Sequence, residues 1–187
     1  MPRITLIGYR GSGKSTVAAG LADILGSSWV DADDALEAET GMTIAAFIAA
    51  RGEPAFRDLE TVILGRLLAS ESGVLATGGG VVLREQNRGL LRRAGRPVVW
   101  LTAPAAVLRG RLAADPATAA RRPALGGGDV LDEVAAAIAA REPLYRAAAD
   151  GVIDVSTAAA TEVVARIAAW LGRWNTASER PLPESIP

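Results

Sequence analysis

The segment from Gly8 to Ser15 carries the residues best suited to chemistry in this sequence, and it has the sequence GYRGSGKS. It matches the pattern G-x-x-x-x-G-K-[ST], in which glycines let successive backbone N–H groups point at phosphate oxygens. In that pattern the lysine, here Lys14, reaches the β- and γ-phosphates, and the hydroxyl of Ser15 ligates Mg²⁺. The pattern therefore predicts a phosphate-binding loop, and the nucleotide-binding residues are predicted to be Gly11, Ser12, Gly13, Lys14, Ser15 and Thr16.

The flanking sequence supports this loop. Residues 3–7 contain Ile4, Leu6 and Ile7 and predict a buried strand, and residues 17–25 predict a helix whose N-terminus faces the bound anion. A glycine-rich turn that matched the pattern by chance would not need a strand before it and a helix after it. Lys14 is also the only lysine among 20 lysines and arginines. A compact ammonium suits a narrow phosphate site better than a planar guanidinium does, which favours a functional lysine over a scattered surface charge.

The composition limits the remaining chemistry. The chain has 187 residues, enough for one domain, and contains no cysteine and no histidine. Disulfides, Cys/His zinc sites, thiolate nucleophiles and histidine bases are therefore excluded. A general base must be Asp or Glu, and a metal must be a hard cation held by oxygen atoms, which points to Mg²⁺.

Charge and hydropathy restrict the partners. The formal net charge is −1, so the sequence predicts neither a nucleic-acid nor an anionic-membrane surface. No uncharged apolar run approaches the roughly 18 residues of a membrane span, and no signal peptide is apparent at the N-terminus. We therefore expect a soluble, cytoplasmic protein.

Predicted strands alternate with predicted helices along the chain. The strands are 3–7, 28–31, 74–77, 97–101 and 152–155, and the main helices are 17–25, 35–40, 43–50, 53–68, 84–93, 104–113, 132–146 and 161–174. This alternation predicts a three-layer α/β domain over residues 1–174 with a central five-stranded parallel sheet. Residues 175–187 contain three prolines and are predicted to be disordered. The carboxyl ends of the strands should bring residues 8–15, 31–34 and 78–80 into one cleft.

The class of nucleotide enzyme can be narrowed further. A guanine-binding Asn-Lys-x-Asp motif needs a second lysine, which this chain lacks. The apolar strands before Gly78 and Thr102 do not end in the acidic residues typical of motor-type ATPases. Asp31, at the end of the second predicted strand, is therefore the candidate carboxylate on the magnesium side. This combination favours a small-molecule kinase.

Six motifs occur in order from about residue 3 to residue 174. They are the loop at residues 8–15, then DAD at 31–33, FRDLE at 56–60, GGG at 78–80, RP at 122–123 and REPLY at 141–145. Together they resemble the shikimate kinase family. The resemblance implies the P-loop kinase fold and transfer of the γ-phosphate of ATP to the 3-hydroxyl of shikimate, a step on the route to chorismate and the aromatic amino acids. The implied partners are ATP, shikimate and Mg²⁺, and we expect a monomer.

The resemblance also implies roles for individual residues. Asp33 matches the acid that orients the substrate hydroxyl, and Arg57 and Arg141 match the arginine pair that binds the carboxylate. Lys14, Asp33 and Arg122 form the implied catalytic set, and Arg111 lies along the adenine. Ser15 would ligate Mg²⁺ directly and Asp31 through water. The substrate also contacts Gly78, Gly79 and Gly80, the substrate-binding region covers about residues 33–61, and a mobile lid covers about residues 112–129.

Alternatives exist for the whole chain and for single residues. A kinase of another small hydroxy acid such as gluconate could use the same scaffold, and a non-catalytic ATP-binding regulatory module could keep the loop. Asp33 could be a helix N-cap. Arg57 with Glu60 could be an exposed surface pair, Gly78 to Gly80 could be only a turn, and Arg141 could lie on a solvated helix face.

Overall fold

The computed structural model describes residues 3–70, 73–114, 130–176 and 184–186, with backbone only for 130–133 and 184. The described residues form six strands, β1 Ile4–Ile7, β2 Trp29–Asp31, β3 Val74–Ala76, β4 Val98–Thr102, β5 Gly151–Asp154 and β6 Glu184–Ser185. They also form seven helices, α1 Lys14–Leu25, α2 Ala32–Thr40, α3 Ile44–Ala69, α4 Glu85–Ala94, α5 Ala105–Ala114, α6 Val130–Ala148 and α7 Ala160–Thr176. No helix in these residues is long and apolar enough to cross a membrane.

The strands form one sheet in the order β2-β3-β1-β4-β5-β6, and every pairing is parallel. The five strands predicted from the sequence are all present, which confirms the predicted parallel sheet. The order reverses direction at β1, where the chain moves from one half of the sheet to the other. In sheets of this kind a cleft opens beyond the carboxyl ends of the strands at that point.

Apolar side chains alternate between the two faces of the sheet. Ile4, Leu6, Val99 and Leu101 face one core with α1 and α7, and Ile7, Leu75, Val98 and Trp100 face the other core with α3, α4 and α6. Successive strand residues point to opposite faces, so a parallel sheet covered by helices on both sides is apolar at nearly every position. The three-layer architecture predicted from the sequence is therefore confirmed.

A smaller third core supports the region between β2 and β3. It contains Leu36, Ile44, Phe56 and Ile63, contributed by α2 and α3. Thr43 begins α3 as its N-cap, because its side chain accepts a hydrogen bond from the backbone N–H of Ala46 at 3.2 Å. The two helices predicted at 43–50 and 53–68 are a single run broken at Gly52, whose φ of 84° is not helical.

The C-terminal segment differs from the prediction. Residues 184–186 are not disordered: β6 pairs with β5, and the Ile186 side chain is buried against Gly151 and Trp170. The N–H of Ile186 donates to the Val152 carbonyl at 2.7 Å. The prediction was wrong here because a single isoleucine among prolines gives no periodic pattern, yet it fills a gap at the sheet edge. Residues 177–183 and 187 lie outside the described residues.

Candidate active site

The predicted phosphate-binding loop lies between β1 and α1, at the carboxyl end of the sheet. Gly11 and Gly13 have φ angles of 77° and 82°, a left-handed conformation that residues with a Cβ atom rarely adopt. Gly13 is also the N-cap of α1, so the first backbone N–H groups of that helix belong to the loop. A curved run of N–H groups next to a helix N-terminus is a site for phosphate.

Lys14 is folded onto its own loop. Its ammonium donates to the carbonyls of Gly8 at 2.9 Å and Tyr9 at 3.1 Å. These bonds hold the positive charge beside the backbone N–H groups. The charge is therefore already placed where the loop would receive an anion.

Asp31 connects this loop to the next strand. One carboxylate oxygen, Oδ2, accepts a hydrogen bond from Ser15 Oγ at 2.6 Å, and the other, Oδ1, accepts from the backbone N–H of Asp33 at 2.9 Å. Asp31 is therefore the N-cap of α2. The alternative that Asp33 caps this helix is wrong, because the cap lies two residues earlier.

The glycine triplet lies at the carboxyl end of β3, between the predicted acid and one predicted arginine. A Cβ atom at Gly78 would lie 2.6 Å from Asp33 Oδ1 and 3.1 Å from Glu60 Oε1. A Cβ atom at Gly80 would overlap the Arg57 guanidinium. Glycine is needed at positions 78 and 80 because a side chain there would collide with two carboxylates or with a guanidinium. A simple turn would impose no such requirement.

Arg57 is held on two sides by carboxylates. Its Nη1 donates to Glu60 Oε2 at 2.9 Å, and its Nε and Nη2 donate to Glu53 Oε1 at 3.2 and 3.0 Å. The side chain is only 12% exposed, and that of Glu60 is 7% exposed, so the alternative of an exposed surface pair is wrong. Burial lowers the pKa of Arg57 because it disfavours the charged form. The neighbouring Glu60 and Glu53 more than offset this effect, so the pKa lies above its ordinary value.

Arg141 approaches the same triplet from α6. Its Nη1 donates to the Gly79 carbonyl at 3.3 Å, and its guanidinium lies 5.2 Å from the ring centroid of Tyr9 in the phosphate-binding loop. Arg141 therefore does not lie on a solvated helix face. A Cβ atom at Gly79 would lie 3.2 Å from the backbone nitrogen of Arg10, so the triplet also abuts the loop.

A cavity of about 180 Å³ lies beside the loop. Its lining includes Gly11, Ser12, Gly13, Thr16 and Arg111, with an apolar wall formed by Val155, Ala158, Ala160 and Val163. The Arg111 Nη2 donates to the Val155 carbonyl at 2.6 Å. This places the predicted adenine-side arginine beside the loop and next to an apolar surface.

The described residues thus bring together nearly all the predicted site residues. Arg122 and residues 115–129 of the predicted lid lie outside the described part of the chain, so the position of Arg122 stays a prediction. The sequence reasoning assigned no role to Glu53 or Tyr145. The i,i+4 spacing of Glu53 and Arg57 could have identified the first residue. The motif REPLY contains the second, but no spacing rule shows where its hydroxyl lies.

Comparison with known proteins agrees with this geometry. The family model described as Shikimate kinase matches residues 10–172. A shikimate kinase from Rhodopirellula baltica is 44% identical over 162 residues, which cover 87% of this chain and 86% of that protein. A shikimate kinase from Nitratidesulfovibrio vulgaris is 47% identical over 151 residues, which cover 81% of this chain and 85% of that protein.

Solved structures give the same result. The shikimate kinase from Acinetobacter baumannii in complex with shikimate superposes with a TM-score of 0.83 at 33% identity, covering 92% of this chain and 94% of the other. A gluconokinase from Sinorhizobium meliloti superposes with a TM-score of 0.54 at 17% identity, covering 92% of each chain. The second likeness shows a shared fold and nothing more.

Proposed function

Because the chain belongs to the shikimate kinase family, its reaction is the ATP-dependent phosphorylation of shikimate, and we propose that the cleft between the phosphate-binding loop, Asp33 and Arg57 carries it out. The observation that carries this proposal is the pairing of opposite charges around the glycine triplet. Gly78 faces a carboxylate of Asp33, and Gly80 faces the guanidinium of Arg57. A cyclic hydroxy acid needs an acceptor for a hydroxyl and a cation for its carboxylate, and the two ends of the triplet offer one of each.

The nucleotide is proposed to occupy the loop side of the cleft. The triphosphate would take the N–H groups of the loop from Gly11 to Ser15, and Lys14 would exchange its contacts with the Gly8 and Tyr9 carbonyls for phosphate oxygens. The base would then lie in the cavity beside Arg111 and Val155. Thr16 lines the same cavity. We propose that Arg122 contacts the phosphates from the lid, as the family resemblance implies.

The acceptor substrate is proposed to occupy the triplet side. The carboxylate of shikimate would bind Arg57 and Arg141, whose planar guanidinium groups match a carboxylate. A ring hydroxyl would bind Asp33, which would orient its oxygen toward the γ-phosphate. Glu60 Oε1 is buried and has no hydrogen-bond partner among the described residues, so it offers a second acceptor beside Asp33. Phosphoryl transfer depends mainly on such positioning and on stabilisation of charge.

The residues present suit Mg²⁺. Ser15 and Asp31 offer hard oxygen ligands 2.6 Å apart, and the described residues contain no group of three or more acidic side chains that could hold a metal alone. Mg²⁺ commonly binds one or two protein oxygens together with water and substrate phosphates. Ser15 Oγ donates a hydrogen bond to Asp31 Oδ2, which leaves the Oγ lone pairs available to the ion. Ser15 and Asp31 would hold the ion, whose positive charge would offset the negative charge of the phosphates when it is bound.

The gluconate alternative is not favoured. The relatives at 44% and 47% identity are shikimate kinases, whereas the gluconokinase shares only the fold. A non-catalytic ATP-binding module is not favoured either, because such a module has no use for a buried arginine and an acid on the far side of the loop. A monomer and a cytoplasmic location stay predictions, the second supported by the use of ATP.

The test is a coupled ADP-release assay with MgATP and three conditions: shikimate, gluconate and no acceptor. We expect release with shikimate alone. Release with gluconate would keep the loop but assign Arg57 and Arg141 to a different acid. Binding of ATP without acceptor-dependent release would contradict the proposal and favour the regulatory module.

A further inference from the structure

Tyr145 contacts the glycine triplet, although the proposed reaction gives this residue no role. Its side chain is 1% exposed, and its hydroxyl donates a hydrogen bond to the carbonyl oxygen of Gly79. Arg141, one helical turn earlier on α6, donates to the same oxygen from Nη1 at 3.3 Å. The Gly79 carbonyl therefore receives two donors from one face of one helix.

The ring of Tyr145 is fixed independently of this bond. It stacks on Trp100 of β4, with ring centroids 5.6 Å apart and an interplanar angle of 16°. Burial raises the pKa of Tyr145 well above its ordinary value, although the neighbouring Arg141 lowers it, so the hydroxyl keeps its proton at neutral pH. The hydroxyl is thus a fixed donor placed by the sheet.

The two donors to Gly79 are unequal. The Arg141 bond of 3.3 Å is longer than the usual 2.9 to 3.0 Å for N–H···O, and the same guanidinium also lies over the Tyr9 ring. Arg141 is also the side chain proposed to bind the substrate carboxylate. When it turns toward that carboxylate, the Gly79 carbonyl keeps a partner only because the Tyr145 hydroxyl stays in place.

We propose that Tyr145 is a positioning residue for the acceptor substrate. Its hydroxyl satisfies the Gly79 carbonyl and so releases Arg141 for the substrate carboxylate. The bond between Gly79 and Gly80 is a planar trans peptide, so holding its carbonyl also fixes the direction of the Gly80 N–H. This inference rests on the proposed binding of a carboxylate by Arg141.

The first test is Tyr145→Phe, which removes the hydroxyl and keeps the stacking ring. Arg141 is then the remaining donor to the Gly79 carbonyl. The substrate carboxylate must therefore compete with that carbonyl for the Arg141 guanidinium. We expect the KM for shikimate to rise about tenfold, the KM for ATP to stay within about twofold, and kcat to change little. The control for lost stability is Ile186→Ala, which truncates a buried side chain at the sheet edge away from the cleft and leaves the Tyr145 stack intact. It should lower the melting temperature and leave the KM for shikimate unchanged.

A double-mutant cycle tests whether Tyr145 acts through Arg141. In an Arg141→Ala background, Tyr145→Phe should change the KM for shikimate by less than about twofold. Additive effects of the two substitutions would overturn the proposal. So would a Tyr145→Phe enzyme whose only change is a lower melting temperature, or one in which both KM values rise equally.

Two further measurements cover a Tyr145→Phe variant that does not fold and a failure of the proposed function. If Tyr145→Phe does not fold, the wild-type protein can be labelled with ¹³C-carbonyl glycine, and the Gly79 signal should shift on addition of shikimate because Arg141 leaves that carbonyl. A Gly79 signal that does not move would overturn the proposal. Failure of the proposed function would look different, because the wild-type enzyme itself would then release no ADP with shikimate.

Discussion

Ser15 in the phosphate-binding loop and Asp31 at the end of β2 are joined by a hydrogen bond of 2.6 Å from Ser15 Oγ to Asp31 Oδ2. The second oxygen of the same carboxylate caps α2 through the Asp33 N–H. One side chain thus connects the loop, the proposed metal site and the backbone of the proposed acid. Oδ2 faces Ser15 and the proposed metal site, whereas Oδ1 caps α2. Substitutions of Asp31 can therefore test the two roles separately.

Asp31→Asn should reduce turnover and raise the Mg²⁺ concentration needed for half-maximal activity, since the amide carries no charge to attract the ion. Asparagine remains a good N-cap, so the melting temperature should change little. Asp31→Ala removes both functions and should also cost about 1 kcal/mol of unfolding free energy. Activity titrations with MgCl₂ and thermal melts of both variants check this. An unchanged Mg²⁺ requirement in Asp31→Asn would remove Asp31 from the metal site.

Gly78→Ala should strongly slow the phosphorylation of shikimate without unfolding the protein. The new Cβ atom would lie 2.6 Å from Asp33 Oδ1, so the short aspartate side chain must move away from the substrate hydroxyl. We expect a loss of kcat of at least about 100-fold, the scale of a misplaced catalytic group, with ATP affinity within about twofold. Steady-state kinetics and calorimetric titration with ATP measure the two quantities.

The matched control for this substitution is Gly172→Ala in α7, where a Cβ atom would meet nothing within 4 Å. Alanine inside a helix is better than glycine by roughly 0.5 to 1 kcal/mol, so this variant should be fully active and slightly more stable. Full activity in Gly78→Ala would show that the position of Asp33 does not limit the reaction.

The sequence predicted the fold well because its signals are local. Alternating apolar strands and amphipathic helices follow from periodicity, and the loop glycines follow from a motif with a known backbone requirement. The nearness of Asp33 to the triplet also followed, since parallel strands place their carboxyl ends at one edge. Arg57 lies on a helix, and only the family resemblance assigned it to the same site.

Other features could not be predicted because they depend on burial and long-range contact. The pair Arg57–Glu60 has the same i,i+3 spacing as any surface pair, and only the packing of α3 against the triplet makes it buried. The hydroxyl of Tyr145 meets a carbonyl 66 residues away along the chain. Ile186 gains its role from a sheet edge formed by distant residues.

The two carboxylates beside Arg57 should differ in importance. Glu60 is 7% exposed and Glu53 is 43% exposed, although both contact the same guanidinium. Glu60→Gln should leave the charge of the buried Arg57 balanced by Glu53 alone. We expect the unfolding free energy to fall by about 3 kcal/mol and the KM for shikimate to rise. Glu53→Gln should cost less than about 1 kcal/mol, because water and salt screen an exposed pair.

Urea denaturation and shikimate kinetics of the two variants decide between them. The control is Glu162→Gln, which alters another i,i+4 pair with arginine at 4.0 Å on α7, far from the triplet. It should leave both stability and KM near wild type. Equal losses in Glu53→Gln and Glu60→Gln would show that burial does not set the importance of these contacts.

The strand β6 should stabilise the domain without taking part in the reaction. It pairs with Gly151 and Val152 at the start of β5, at the end of the sheet opposite the cleft. Ile186→Ala removes a side chain that is 3% exposed but keeps the backbone bonds to Val152 and Arg166, so it should lower the unfolding free energy by about 2 kcal/mol with kcat and KM unchanged. Ser185→Ala, at the exposed neighbouring position, is the control and should match the wild type. Identical urea midpoints for the two variants would mean that Ile186 contributes no net stability in solution, and the buried contact with Trp170 would then need a different explanation.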